Sequence, residues 1–207
     1  MSQIKEAMSF TSFGRPKFIT ALAMALLFSL SFYTSVFAGK ILLGEHYSPE
    51  ENLERIDFAV LGSAKKTIDV AMYAFTDRSL AYALVNAARR GVLVRVYRDK
   101  TQMRDRNDQT SYLLQNGVRV RSKNNSRFNI MHLKAYAVDG QVLRTGSANW
   151  SPAGEGASCW RGDCGHNEQQ DNNLSLTENP SDVSHFEQTF NRIWHRSDNI
   201  RFDRQSQ

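Results

Sequence analysis

Cysteine is scarce in this chain. Its 207 residues hold two, Cys159 and Cys164, which excludes a disulfide-dense scaffold and a four-thiolate zinc site. Histidine numbers five, and no group of acids and histidines has the spacing of a metal site. Cys159, Cys164 and His166 form one alternative metal cluster, but a fourth ligand is not evident. No internal repeat is present, which argues against solenoids and propellers. The charge balance is only modestly basic, at +5. Such a surface permits contact with nucleic acid or an anionic membrane without demanding either.

What the chain does have begins with an uncharged run from Phe18 to Ala38, preceded by Lys5, Arg15 and Lys17. With Val36-Phe37-Ala38 before Gly39, residues 1–38 read as a signal peptide. That implies a periplasmic or secreted bacterial protein. The run is also long enough to span a bilayer, so an uncleaved inner-membrane anchor is the alternative. Residues 39–207 then form a single domain, large enough for a real core. In an exported chain Cys159 and Cys164 are expected to pair as a disulfide.

Along the domain, Lys40 to Tyr47 reads as a strand, and Ser48-Pro49-Glu50-Glu51 as the start of a helix reaching Gly62-Ser63. Thr67 to Phe75 and Val92 to Tyr97 are strands flanking a helix capped by Thr76-Asp77 and closed by Arg89-Arg90-Gly91. This β-α-β-α-β order predicts an α/β fold with a mixed, largely parallel β-sheet and helices on both faces. Asp99 to Thr110 is a polar loop, followed by a short helix Ser111 to Asn116 and a strand Val118 to Ser122. Ser151 to Asp171 reads as an irregular surface insertion. A last strand, Asn173 to Leu176, precedes an amphipathic helix from Ser181 to His195.

The most informative stretch lies between these. Met131 to Val138 alternates, with His132, Lys134 and Tyr136 on one side and Leu133, Ala135 and Ala137 on the other. Asp139-Gly140 reads as a two-residue hairpin turn, with Gln141 to Gly146 as the return strand. That turn sets Val138 opposite Gln141, Tyr136 opposite Leu143, Lys134 opposite Thr145 and His132 opposite Ser147. Cross-strand partners share a face, so His132, Lys134, Thr145 and Ser147 converge, and Asn149 joins them. Taken alone, such a hairpin reads equally as an ordinary polar sheet face.

The complete string is H-x-K-x4-D followed by G-S-x-N, here His132, Lys134, Asp139, Gly146, Ser147 and Asn149. It resembles the signature of the phospholipase D superfamily without departure. Tyr47-Ser48-Pro49-Glu50, the strand from Ile68 to Phe75 and the helix before Gly91 are similar to the small bacterial endonucleases of that superfamily. The resemblance implies a phospholipase D/nuclease-like fold and a phosphodiesterase.

A phosphodiester repels nucleophiles through its own charge, so a site must neutralise it, attack it and protonate the leaving oxygen. Lys134 supplies charge, and Asn149 and Ser147 donate hydrogen bonds to non-bridging oxygens. The resemblance implies that His132 attacks and forms a phosphohistidine. That route needs no metal or other cofactor. One imidazole cannot be neutral nucleophile and charged acid together, and family members use a second signature histidine. This chain carries the signature once, which implies a two-fold homodimer with one composite site and a bell-shaped rate profile near neutral pH.

The resemblance implies that Asp171 stands at the acidic position that orients the nucleophile in the small nucleases, although the usual residue there is Glu and an insertion precedes it; Glu168 is the competitor. Asp139, at the turn, reads as structural. Lys100, Arg104 and Arg106 follow a parallel strand, where sites on α/β sheets form, and are candidates for phosphate contact. Arg119, Arg121 and Lys123 form a basic stripe or a solvated edge. Trp150 either stacks a base or packs at the rim. The leading expectation is an exported, metal-independent, non-specific endonuclease cleaving DNA, with RNA as a further substrate. The alternatives are a phospholipase D acting on lipid headgroups and a nucleic-acid-binding protein without catalysis.

Overall fold

The computed structural model describes residues 41–124, 126, 128–160 and 170–202, with only the backbone of 159 and 160. The expected leader, the Cys159–Cys164 pairing, the metal alternative with His166, and Glu168 all lie outside the described residues.

The elements run β1 (Gly44–Ser48), α1 (Leu53–Ser63), β2 (Thr67–Met72), α2 (Arg78–Arg89), β3 (Leu93–Asp99), a 3-10 turn (Gln102–Arg104), α3 (Thr110–Gln115), β4 (Arg119–Lys123), β5 (Lys134–Val138), β6 (Val142–Gly146), α4 (Ala157–Trp160), β7 (Asn172–Thr177), α5 (Pro180–Trp194) and β8 (Ile200–Arg201). Local chemistry sets most boundaries. Asp77 caps α2 by accepting from Ser79 and Leu80 N–H, and Asn179 caps α5 in the same way, with Pro180 following. The first helix starts later than Ser48-Pro49 suggests. Glu51 accepts from the Tyr47 N–H and the His46 ring, so the Ser48–Glu51 stretch closes as a turn, and Asn52 caps the helix instead.

Eight strands form one mixed sheet in the order β1-β7-β6-β5-β2-β3-β4-β8. Helices cover both faces, as expected, but the parallel share is smaller than the β-α-β pattern suggested. Among the described strands, β2–β3 and β3–β4 pair in parallel and the other strand pairs are antiparallel. The physical reason is that β5, β6 and β7 enter beside β2 as a meander, which displaces β1 to the far edge against β7.

Alternation along β2 separates two cores. Ile68, Val70 and Met72 pack under α1 and α2 with Leu53, Leu61, Leu80, Leu84, Tyr136 and Trp150. Ala71 faces the other side, where Phe190, Ile193 and Trp194 of α5 cover Tyr97 and Met131. Asp69 shares that face and holds Arg95 through two bonds of 2.7 and 2.6 Å, with the guanidinium over the Phe190 ring at 5.0 Å. The segment after Trp150 departs from a surface insertion. Glu155 is fully buried, and its carbonyl accepts from the Leu53 N–H at 3.0 Å.

The signature hairpin differs by one residue from the sequence reading. Val138 pairs with Val142, Ala137 with Leu143 and Tyr136 with Arg144, so the loop is Asp139-Gly140-Gln141. The shift turns Arg144 inward and Thr145 outward, as period-2 geometry requires. Asp139 explains it. Its backbone is left-handed at φ 55°, and its carboxylate accepts from the N–H groups of Lys65, Lys66 and Thr67 at 2.8, 2.7 and 2.8 Å. The signature aspartate therefore ties the hairpin tip to the start of β2.

Burial would raise the Asp139 carboxyl, but the three N–H groups outweigh it and hold the acid below its ordinary range. A depressed folded value means stability that is present above the unfolded carboxylate pKa, about 4, and is lost as pH falls through the folded one. Asp139→Ala is therefore expected to cost about 1.5–3 kcal/mol at neutral pH. In urea unfolding, its deficit against the parent should shrink as the solution is made acid.

Candidate active site

The site lies on the sheet edge where the parallel strands β2 and β3 end and where β5 begins. Met131 is drawn there by Asp99, the last residue of β3, whose carboxylate accepts the Met131 N–H at 2.9 Å. Burial alone would raise the Asp99 acid. The Thr101 hydroxyl and the N–H groups of Met131, Thr101 and Gln102 outweigh this and keep it below its usual range.

His132 follows, exposed at the edge. The Lys134 ammonium sits 3.2 and 3.1 Å from its two ring nitrogens and donates to its carbonyl at 3.0 Å. Lys134 itself is only 9% exposed. Burial, and then the charge of Arg144, lower its pKa. Tyr73, just past β2, contacts both groups. Its ring meets His132 edge-on at 4.6 Å and lies 5.1 Å below the ammonium. Its hydroxyl accepts from Gln102 at 2.9 Å. Neither Tyr73 nor Gln102 stands out in the sequence; a tyrosine at the C-terminal end of a parallel strand was the available signal.

Asn149 is half-buried. Its side-chain oxygen accepts from the Ala74 N–H at 3.3 Å, which aims its NH2 group away from the backbone as a donor. Ser147 is arranged otherwise than expected. Its hydroxyl donates to the Asn172 side chain and accepts from the Asn173 N–H, both at 3.0 Å. It anchors the start of β7 instead of offering its proton to a phosphate. Gly146 permits this approach, since a Cβ there would lie 2.3 Å from the Asn173 carbonyl. Asp171 is exposed and lines a cleft with Ser147, Asn172, Asn173 and Tyr47. Among the described residues it makes no hydrogen bond to His132.

Trp150 is a correction. It is fully buried, with its Nε1–H donated to Asp57 at 2.7 Å, and its ring packs on Phe75 and Tyr136. It cannot stack a base. Thr145 lies on the opposite face, beside α5. Lys100 reaches Asn124 at 3.4 Å, while Arg104 and Arg106 are exposed on the loop after β3. The Arg119, Arg121, Lys123 stripe is partly engaged: Arg121 donates to the Trp194 carbonyl at 2.7 Å and Lys123 to that of Ile130 at 3.2 Å.

Beneath the signature lies a buried network that the sequence did not announce. The Arg144 guanidinium, wholly buried, donates to the carbonyls of Lys134 at 3.0 Å and Ala148 at 3.2 Å. It also contacts Glu155 at 3.1 Å and Asp57 at 3.3 Å. Asp57 further accepts from the Tyr136 hydroxyl at 2.8 Å. Burial raises Glu155 well above an ordinary carboxyl, the Asp57 charge pushes the same way, and Arg144 opposes. The Arg144 cation thus lies between two buried acids, Asp57 and Glu155. Arg144→Met strands the Asp57 charge and is expected to cost about 3–5 kcal/mol. Adding Asp57→Asn should recover part of that loss in urea unfolding, because the unpaired charge is gone.

Residues 58–194 match the family described as cardiolipin synthase, PLD-like domain. Curated relatives include the mitochondrial cardiolipin hydrolases of Danio rerio, 29% identical over 66% of this chain and 54% of that protein, and of Homo sapiens, 31% identical over 70% and 52%. The chain thus spans about half the length of these relatives. Among solved structures, Nuc from Salmonella typhimurium, described as a phospholipase D family member, superposes with a TM-score of 0.64 at 26% identity, over 76% of this chain and 95% of that one. NucT from Helicobacter pylori shares the fold, with a TM-score of 0.65 at 21% identity over 76% and 97%. With His132, Lys134 and Asn149 on one edge of that fold, the chain belongs to the PLD-like domain family, within the phospholipase D superfamily of phosphodiesterases.

Proposed function

We propose that the protein is an exported endonuclease that cleaves DNA, and RNA as a further substrate, through a phosphohistidine on His132. The observation that carries the reading is the site's edge. His132 stands exposed beside the Lys134 ammonium and the Asn149 amide, and exposed Arg104 and Arg106 sit on the loop after β3. An open, cation-flanked edge suits a long polyanion better than an enclosed pocket would.

In this reading Lys134 offsets the phosphate charge, the Asn149 NH2 group binds a non-bridging oxygen, and Tyr73 fixes the imidazole. The His132 imidazole attacks phosphorus and the leaving oxygen departs. Water then attacks the phosphohistidine and returns the histidine. The proton for the leaving oxygen comes from His132 of a second copy, in a two-fold homodimer. Residues 1–38 serve as the export signal.

A second reading rests on a different observation. Phe128, Ile130 and Leu133, next to His132, are 88%, 38% and 41% exposed. Apolar side chains around the nucleophile suit a lipid surface, as would a phospholipase acting on headgroups.

A plasmid-nicking assay of the purified protein with excess EDTA, beside phosphatidic acid release from cardiolipin and phosphatidylcholine vesicles, separates the two. Nicking that survives chelation and disappears in His132→Ala is the expected result. Lipid hydrolysis without nicking replaces the first reading with the second. Dimers mixed from parent and His132→Ala subunits test the shared site. Activity should follow the square of the parent fraction; a linear dependence would show that each subunit works alone.

A further inference from the structure

Beyond Asn149, the 74–78 segment leads away from His132 into a second cleft of about 520 Å³. Arg78, the first residue of α2, and Arg106, on the loop after β3, both line it, together with Thr76 and Gln109. Both guanidinium groups are exposed, and among the described residues neither has a carboxylate partner. Asp108 also lines the cleft, but its carboxylate is committed. It pairs with buried Arg98 at 2.7 Å and accepts from the Thr110 N–H at 2.8 Å. The cleft therefore presents two uncompensated cations.

Its walls are fixed to the catalytic edge. Arg98, wholly buried, donates to the Met72 carbonyl at 2.9 Å and holds Asp108 in place. The Gln109 N–H donates to the Phe75 carbonyl at 3.1 Å. Thr76 and Asp77 N–H groups both donate to the Trp150 carbonyl, at 2.8 and 3.0 Å, and Ala74 holds Asn149. One segment thus positions Asn149 at its first residue and Arg78 four residues later, at most about 14 Å along the chain. A polynucleotide bound at His132 carries further phosphates that can reach this cleft, and a lone small diester carries none. Two guanidinium groups facing one cleft are matched to a phosphate, which each can grip through paired N–H groups.

We infer that Arg78 and Arg106 form a subsite for a second backbone phosphate of a polynucleotide whose scissile phosphate lies at His132. The inference rests on the nuclease reading. It adds that affinity for the polymer is set partly outside the signature, by residues with no part in the chemistry.

The test is fluorescence-anisotropy binding of a labelled single-stranded oligonucleotide to His132→Ala protein over a range of salt, with and without Arg78→Gln and Arg106→Gln. Turnover of the same oligonucleotide and of bis(4-nitrophenyl) phosphate is measured in the His132 background. The paired substitutions are expected to weaken binding about ten- to a hundredfold and to reduce the log–log salt slope by about 0.7 per lost contact. KM for the oligonucleotide should rise with kcat kept, and hydrolysis of the small diester should be unchanged. Lysine at both positions should restore the slope, because the charge returns.

Unchanged affinity and slope in the paired variant overturn the subsite and leave the nuclease reading intact. Small-diester hydrolysis with neither binding nor cleavage of the oligonucleotide overturns both. Equal loss of activity on both substrates also overturns the subsite, because it marks damage to the catalytic centre.

Discussion

The Arg144 guanidinium holds the two halves of the signature in one place. H-x-K lies at the start of β5 and G-S-x-N begins at the last residue of β6, and backbone pairing of the two strands ends at Tyr136 and Arg144, before either reaches its functional residues. Arg144 closes that gap from below, accepted at once by the Lys134 and Ala148 carbonyls. A buried cation is tolerated there only because Asp57 and Glu155 converge on it. Asp57 comes from α1 and Glu155 from the loop before α4, so helix packing, loop path and site alignment are one constraint. The same charge lies under Lys134 and makes its proton easier to lose, so the support is also an electrostatic influence on the site.

The legible parts of the fold were those whose cause is local. Alternation in Met131 to Val138 marks a strand, Asp77 caps a helix because an aspartate there satisfies free N–H groups, and Gly91 ends one with φ 91°. The illegible parts have distant causes. Asp139-Gly140 looks like a two-residue turn, but the aspartate is claimed by three N–H groups at the start of β2, and the register moves by one. Trp150 looks like a rim aromatic because nothing near it in sequence announces Asp57 as its hydrogen-bond partner. Glu155 sits among glycines and small residues that suggest a surface loop, yet it is buried by an arginine from another strand. In the site, His132, Lys134 and Asn149 were legible because motif spacing carries them. Tyr73 and Gln102 were not, because their contacts are made only when β2 and β3 lie side by side.

The edge is electrically uneven, and the topology explains why. β1 and β7 bring Glu50, Glu51 and Asp171 around the cleft beside Ser147. The loop after β3 and the start of α2 bring Arg78 and Arg106 around the other. In the proposed nuclease reading, a polyanion crossing His132 would have acids on one side and arginines on the other. On that reading the favoured path across the edge runs toward the arginines.

Exposure of His132 carries the last step. An imidazole that must attack phosphorus in one half of a reaction and give up a proton in the other works best with a second imidazole opposite it. Among the described residues the cation against the ring is Lys134, which is already engaged with the His132 carbonyl. Among the described residues of the site, Asn149 is an amide with no acidic proton, the Tyr73 hydroxyl accepts from Gln102, and Asp171 makes no bond to the ring. The proposed second His132 would approach from outside the subunit, and an exposed imidazole at the sheet edge leaves that side open. In that proposal, a single signature in an open site and a two-fold axis through the substrate are the same requirement, seen from the sequence and from the chemistry.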